Sequence, residues 1–127
     1  MKATVIILLI LSTSIPATAA EVSENRNRLI IVGDSRTNNM SRWVSTNNRT
    51  LFVTKNGQGY CWFEEEAVNQ VNKLVKAGDS IVIWLGVNDY FQDIHGQDCW
   101  EAYSEKINYL SANEWSDCKV YVASVGY

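Results

Sequence analysis

Four short apolar runs punctuate an otherwise mixed chain. Leu29-Ile30-Ile31-Val32 is continuous, rich in β-branched residues and bounded by Arg28 and Gly33, which marks a strand buried on both faces. Leu51-Phe52-Val53-Thr54 is a second run, stopped by Asn56-Gly57, a turn pair. Ser80 to Leu85 forms the third and strongest, and Val120 to Val125 the fourth. Between the second and third, Ala67, Val68, Val71, Leu74 and Val75 recur at helical spacing, with Glu64, Glu65 and Glu66 in the first turn and Lys73 and Lys76 in the last. That charge order complements the helix dipole, and Gly78 is a fitting C-terminal stop. Trp100, Tyr103, Ile107 and Leu110 mark another amphipathic helix, while Met40 to Val44 is a weaker helical stretch.

Strands that alternate with helices predict an α/β fold with a parallel sheet covered on both faces, because each parallel pair needs a long crossover. Nearly unbroken apolar strands agree with double-sided burial. In such sheets functional groups gather beyond the carboxyl ends of the strands, at a topological switch point. The residues that follow each strand therefore carry the chemistry.

The N-terminus follows a different pattern. Lys2 precedes an apolar run from Val5 to Leu11, and Ser12 to Pro16 lead to Ala17-Thr18-Ala19-Ala20. These are the three parts of a secretory signal peptide, with a core too short to span a bilayer comfortably. Residues 1–20 are thus expected to be removed, 21–28 to form a polar, mobile segment, and 29–127 to form the domain of a secreted, periplasmic or extracellular protein without stable membrane insertion. In the chain of 127 residues, a hydrophobic fraction of 46%, a charged fraction of 20% and one proline exclude a disordered or fibrous chain. The net charge of -3, with no basic run, argues against nucleic acid as a partner. Three cysteines, Cys61, Cys99 and Cys118, would meet an oxidising compartment and form at most one internal bridge. Cys99 and Cys118 flank the second helix and are candidates to close a loop, although sequence does not fix the pairing. No cysteines have zinc-ligand spacing and His95 is the lone histidine, so no metal site is expected.

Gly33-Asp34-Ser35-Arg36 follows the first strand, Asn56-Gly57-Gln58-Gly59-Tyr60 the second, and Gly86-Val87-Asn88-Asp89 the third. At these positions the three loops resemble those of the SGNH/GDSL hydrolases, a family of esterases and lipases. The resemblance covers Leu29 to Tyr127. It implies a three-layer α/β/α sandwich with a flavodoxin-like parallel sheet, incomplete at the C-terminus. It also implies an acyl-serine mechanism on small-molecule, glycan or lipid esters, without metal or organic cofactor. A serine at a strand-to-helix turn presents its hydroxyl at the rim of the sheet, so Ser35 is the candidate nucleophile. The resemblance places an oxyanion hole at the amides of Ser35 and a second-loop glycine, either Gly57 or Gly59, with the side-chain amide of Asn88. Gly33 permits a close turn, Asp34 is a candidate helix cap, Gly86 allows close backbone approach and Asp89 braces its loop. Arg36 either meets an acidic substrate or, by default, sits in solvent.

The family places its Asp-x-x-His motif after a fifth strand, and histidine is the base that activates serine. Here His95 lies in the loop after Gly86-Val87-Asn88-Asp89, with Gln92 at the aspartate position. The chain is therefore expected to be the nucleophile and oxyanion half of a longer esterase, poorly active by itself. The alternative is a secreted pseudoenzyme or binding module that keeps the serine pocket for recognition. Tyr60, Trp62, Tyr90 and Phe91 either line an acyl or sugar pocket or cover the sheet. Asn39 and Asn48 stand in glycosylation sequons.

Overall fold

A computed structural model describes residues 27–44, 49–92 and 98–123, with the side chains of 90–92, 98 and 99 excepted. The signal-peptide residues, Asn48, His95, Ser124 and Val125 lie outside the described residues, as do the side chains of Tyr90, Phe91, Gln92 and Cys99.

Strands and helices alternate: β1 (Leu29–Gly33), α1 (Ser35–Ser41), β2 (Thr50–Thr54), α2 (residues 60–74), β3 (Ser80–Trp84), α3 (Val87–Gln92), α4 (Asp98–Ala112) and β4 (Lys119–Val122). All described pairings are parallel, in the order β2-β1-β3-β4. The expected α/β fold with a parallel sheet is observed. The chain steps from β1 outward to β2, then crosses back past β1 to β3. The strand order therefore reverses between β1 and β3, and their carboxyl ends form the switch point.

Register assigns the faces, because paired residues in a parallel sheet share a side. Ile30 aligns with Leu51 and Ile81, and Val32 with Val53 and Ile83. On that face Ile30, Val32, Val53, Ile81 and Ile83 form a core with Phe63, Ala67, Val68 and Val71 of α2 and Tyr103, Ile107 and Leu110 of α4. Gly33 belongs to the opposite face with Ile31 and Trp84, and a Cβ built on Gly33 would meet Thr37 of α1. So α1 covers the second face while α2 and α4 share the first, as right-handed crossovers dictate.

Double-sided burial holds for β1, buried from Ile30 to Gly33, but not for its neighbours. In β3, Ile81 and Ile83 are buried while Val82 and Trp84 are half-buried. In β2 just Val53 is buried, and in β4 no residue is. On the second face α1 has just seven residues to cover Val82 and Trp84, while β2 and β4 are the outer strands of the described sheet. Tyr121 and Val122 stand 51% and 54% exposed on β4, which pairs with β3 alone among the described strands.

Helix α1 begins at Ser35 rather than near Met40, and Trp43 beyond it is exposed. Helix α2 is longer than the apolar spacing implies. It joins an α-helical turn (Tyr60–Trp62), a π-helical turn (Phe63–Ala67) and a second α-helical stretch (Val68–Leu74). The three glutamates are exposed in the π turn, and Lys73 lies in the last turn. In α4, Tyr103, Ile107 and Leu110 are buried as their spacing requires, but Trp100 is half exposed. Among the described residues no helix is long and apolar enough to cross a membrane.

Helix α4 also overturns the Cys99–Cys118 loop. Its 15 residues span about 22 Å, with residue 99 at the start. Cys118 lies at the other end of the sheet, where its Sγ is 3.5 Å from the Lys76 carbonyl and the next amide, of Lys119, donates to Asp79 O. A disulfide needs Cα atoms within about 7 Å.

A second correction concerns Arg28, expected in the mobile segment. Its backbone N–H and Nε each donate to Asp79 Oδ1 at 3.2 Å, and its Nη2 donates to Asp79 Oδ2 and to Leu74 O, both at 2.6 Å. Asp79 is 3% exposed and also accepts from the Lys76 amide. The pair ties the entry of β1 to the entry of β3. Burial would raise the Asp79 carboxyl, but hydrogen bonds from the Arg28 guanidinium and the Lys76 and Arg28 amides, with the guanidinium charge, hold it below its ordinary value.

A carboxyl lowered in the native state stabilises the fold above its unfolded pKa, and that contribution is lost as pH falls through the native one. Asp79→Ala is expected to cost about 3 kcal/mol at pH 7, since it leaves a partly buried guanidinium unpaired. The loss should shrink below about pH 4. Urea denaturation of both proteins at pH 7 and pH 3 checks the sign; an equal difference at the two values would contradict it.

Candidate functional site

The site grows from the turn between β1 and α1. A Cβ on Gly33 would lie 2.6 Å from Trp84 O and 2.7 Å from Thr37 Cγ2, so this close approach of β1, β3 and α1 admits glycine alone. Asp34 follows, with its side chain fully buried and its backbone extended (φ -92°, ψ -152°). Such a carboxylate must be satisfied locally. Its Oδ1 accepts from the Arg36 amide and from Arg36 Nε, both at 3.0 Å, and Oδ2 accepts from Arg36 Nη2 at 2.8 Å. The first bond is the expected helix cap. At the same turn the Thr37 hydroxyl and the Asn38 amide donate to Asp34 O, at 2.8 and 2.9 Å.

Arg36 is therefore not a solvated side chain. Its side chain is 28% exposed, with the guanidinium forked onto Asp34 and stacked 5.0 Å from the centroid of the Trp84 ring, an arrangement that suits a planar cation. Ser35, between these anchors, is the first residue of α1 and is half-buried. Among the described residues none hydrogen-bonds to its Oγ.

The other two loops close on this turn. Asn88 Nδ2 donates to Gln58 O at 2.8 Å and reaches Asp34 Oδ2 at a long 3.5 Å. Asp89 Oδ1 accepts from the Tyr60 amide at 2.8 Å, so this carboxylate braces the second loop as well as its own. The two candidate glycines separate. Gly57 has φ +68° and open space around its Cβ position, which makes it a turn glycine. Gly59 is buried, and a Cβ there would overlap the Asp89 carboxylate, so Gly59 lies where the second and third loops touch. Gly86, at φ 117°, turns the chain from β3 toward Asn88.

Ser35, Gly59 and Asn88 thus belong to three loops tied to one another, with Asp34 and Asp89 as braces. A further tie escapes motif reading: Asn38 Nδ2 donates to Asn56 Oδ1 at 2.8 Å, and Thr54 Oγ1 donates to Asn38 Oδ1 at 3.2 Å. Asn38 sits four residues after Asp34, one helical turn on, and that spacing is the signal a sequence could offer. Trp84, the platform for Arg36, read simply as a strand residue.

Of the four aromatic residues near the loops, Tyr60 and Trp62 resolve toward packing. Trp62 is buried in the core, and the Tyr60 ring meets Tyr103 edge-on at 5.8 Å. An open groove of about 370 Å³ lies instead between α4 and β4, lined by Trp100, Tyr103, Ser104, Ile107, Asn108 and Val122. Asn39, in one sequon, is exposed.

The contact between Gly59 and Asp89 gives a measurable coupling. Gly59→Ala is expected to destabilise the fold by about 2 kcal/mol through overpacking. Most of that cost should vanish in an Asp89→Ala background, a non-additivity above about 1 kcal/mol. Gly57→Ala should cost about 1 kcal/mol whatever stands at position 89. Denaturation midpoints of the five variants decide it, and additive losses at Gly59 and Asp89 would contradict the contact.

No protein-family model matches the chain, and no curated protein matches it in sequence.

Proposed function

We propose that the site is the nucleophile and oxyanion half of a serine ester hydrolase of the SGNH type. The supporting observation is the Asn88 amide, which donates to Gln58 O and stands 3.5 Å from Asp34 at the β1–β3 switch point. One side chain of the third loop is thereby placed between the second loop and the serine turn. The strand order β2-β1-β3-β4 also agrees with the first four strands of a flavodoxin-like 2-1-3-4-5 sheet.

In this reading Ser35 Oγ attacks the ester carbonyl and forms an acyl-serine, with loss of the alcohol. The charge that develops on the carbonyl oxygen meets the amides of Ser35 and Gly59 and the Asn88 side chain. Donors fixed before the reaction stabilise that charge without reorganisation. Asp34 and Asp89 are positioning residues: the first sets the Ser35 turn through Arg36, and the second sets Gly59 through the Tyr60 amide. Substrates are esters of small molecules, glycans or lipids, and the chemistry calls for no cofactor.

Among the described residues no general base hydrogen-bonds to Ser35, and a serine so placed acylates slowly, because hydroxyl activation is what a base supplies. The full chain is therefore expected to acylate at Ser35 with p-nitrophenyl acetate and to turn over weakly. Intact mass spectrometry should show one acetyl group, absent from Ser35→Ala, and Asn88→Ala should slow the acylation by about tenfold to a hundredfold. Equal acylation of the parent and Ser35→Ala would remove Ser35 from the mechanism. Ligand binding without acylation would favour the non-catalytic recognition module.

A further inference from the structure

The side-chain amide of Asn88 stands between two acceptors. Its Nδ2 carries two N–H groups. One donates to Gln58 O at 2.8 Å, and Asp34 Oδ2 lies at 3.5 Å from the same nitrogen, beyond the range of a well-made N–H···O bond. Asp34 is fully buried, and a buried carboxylate draws in the donors within its reach. An amide beside it would ordinarily close to about 2.8 Å. Here it stays apart.

The carboxylate is already occupied. Arg36 Nη2 donates to Asp34 Oδ2 at 2.8 Å, while Arg36 Nε and the Arg36 amide both donate to Oδ1 at 3.0 Å. One residue thus supplies three N–H donors and a full positive charge. The guanidinium is also packed over the Trp84 ring, 5.0 Å from its centroid, which holds it in place against a competing donor. Arg36 and Asn88 meet at the same oxygen, Asp34 Oδ2, and Arg36 holds it.

We propose that Arg36 is a positioning residue for Asn88: by filling Asp34, it leaves the second Asn88 N–H to the substrate oxygen. The inference rests on the reading of Ser35 as nucleophile and Asn88 as oxyanion donor. As charge develops on the ester carbonyl oxygen, that N–H forms a full hydrogen bond to it, and no strong bond to Asp34 has to break first. Without the guanidinium, Asp34 is a buried charge, and Asn88 is the side-chain donor that remains beside it among the described residues. The amide then closes onto Asp34, and the oxyanion loses its donor to a permanent charge. The effect of Arg36 on the reaction is transmitted through Asp34 and Asn88.

The test follows acetylation of Ser35 by p-nitrophenyl acetate in the full chain, as a rate against ester concentration. Arg36→Met should slow it by about tenfold to a hundredfold, as Asn88→Ala does, through the limiting rate rather than the half-saturating concentration. Adding Asn88→Ala to Arg36→Met should slow it little further. Asp34→Asn in the Arg36→Met background removes the competing charge and should restore most of the rate, whereas a serine turn merely loosened by the first change would be loosened further. Arg36→Lys keeps the charge without the fork, so it should fall between the parent and Arg36→Met, and it carries the comparison if Arg36→Met fails to fold. A second readout does not depend on acylation. The Asn88 side-chain amide protons, assigned in NMR spectra by their loss in Asn88→Ala, should shift downfield in Arg36→Met and return when Asp34→Asn is added. Unmoved amide signals, multiplied losses for Arg36→Met and Asn88→Ala, or no recovery with Asp34→Asn would overturn the proposal. Amide signals that move as expected while Ser35 stays unacetylated in the parent would instead remove the esterase reading and leave the contest for Asp34 standing.

Discussion

A carboxylate with no access to water is tolerated only where the chain itself supplies donors, and Asp34 is that carboxylate here. It lies at the mouth of β1, one of the two strands that pair on both sides. Meeting its needs fixes the Arg36 amide and guanidinium, the start of α1 and, through the guanidinium, the ring of Trp84 at the end of β3. Ser35 has little freedom left, because the residues on both sides of it are held. The same turn excludes a side chain at Gly33. The position of the serine therefore follows from a charge-burial constraint rather than from packing of the serine itself.

A second ion pair does a comparable job at the opposite end of the sheet. Arg28 and Asp79 join the entries of β1 and β3, while the Gly33 turn and the Asn88 loop join their exits. The two central strands are thus held at both ends by polar contacts and along their length by Ile30, Val32, Ile81 and Ile83. Such a pair gives a rigid floor to loops that must hold a few donors in place.

The strands were legible because β-branched runs bounded by glycine and turn residues carry their own signal, and all four begin within a residue of the apolar runs. The helix caps were half legible: Asp34 was readable as a cap, but α1 still lacked a periodic apolar stripe and was expected several residues too late. The roles of Arg36 and Arg28 were hidden, since a guanidinium partner fifty residues distant, or a ring on the neighbouring strand, leaves no local trace. The different surroundings of Gly57 and Gly59 were hidden as well, because they depend on which of the two meets a carboxylate from another loop. Helix length, in turn, disqualified a disulfide that spacing along the chain allowed.

The π turn of α2 has a consequence of its own. A π-helical turn holds about one residue more than an α-helical turn. The first turn, with Tyr60 and Trp62, and the later stretch, with Val68 and Val71, are therefore phased separately about the axis. One phase sets how the sheet is covered; the other sets how the chain enters from Gly59. Deleting one residue between Phe63 and Ala67 would leave a helix of ordinary winding, but it would swing the second loop by about a quarter turn or more relative to the core. The π turn thus fixes the angle at which the second loop meets the core, since Trp62 on the loop side of it and Val71 beyond it are both buried there.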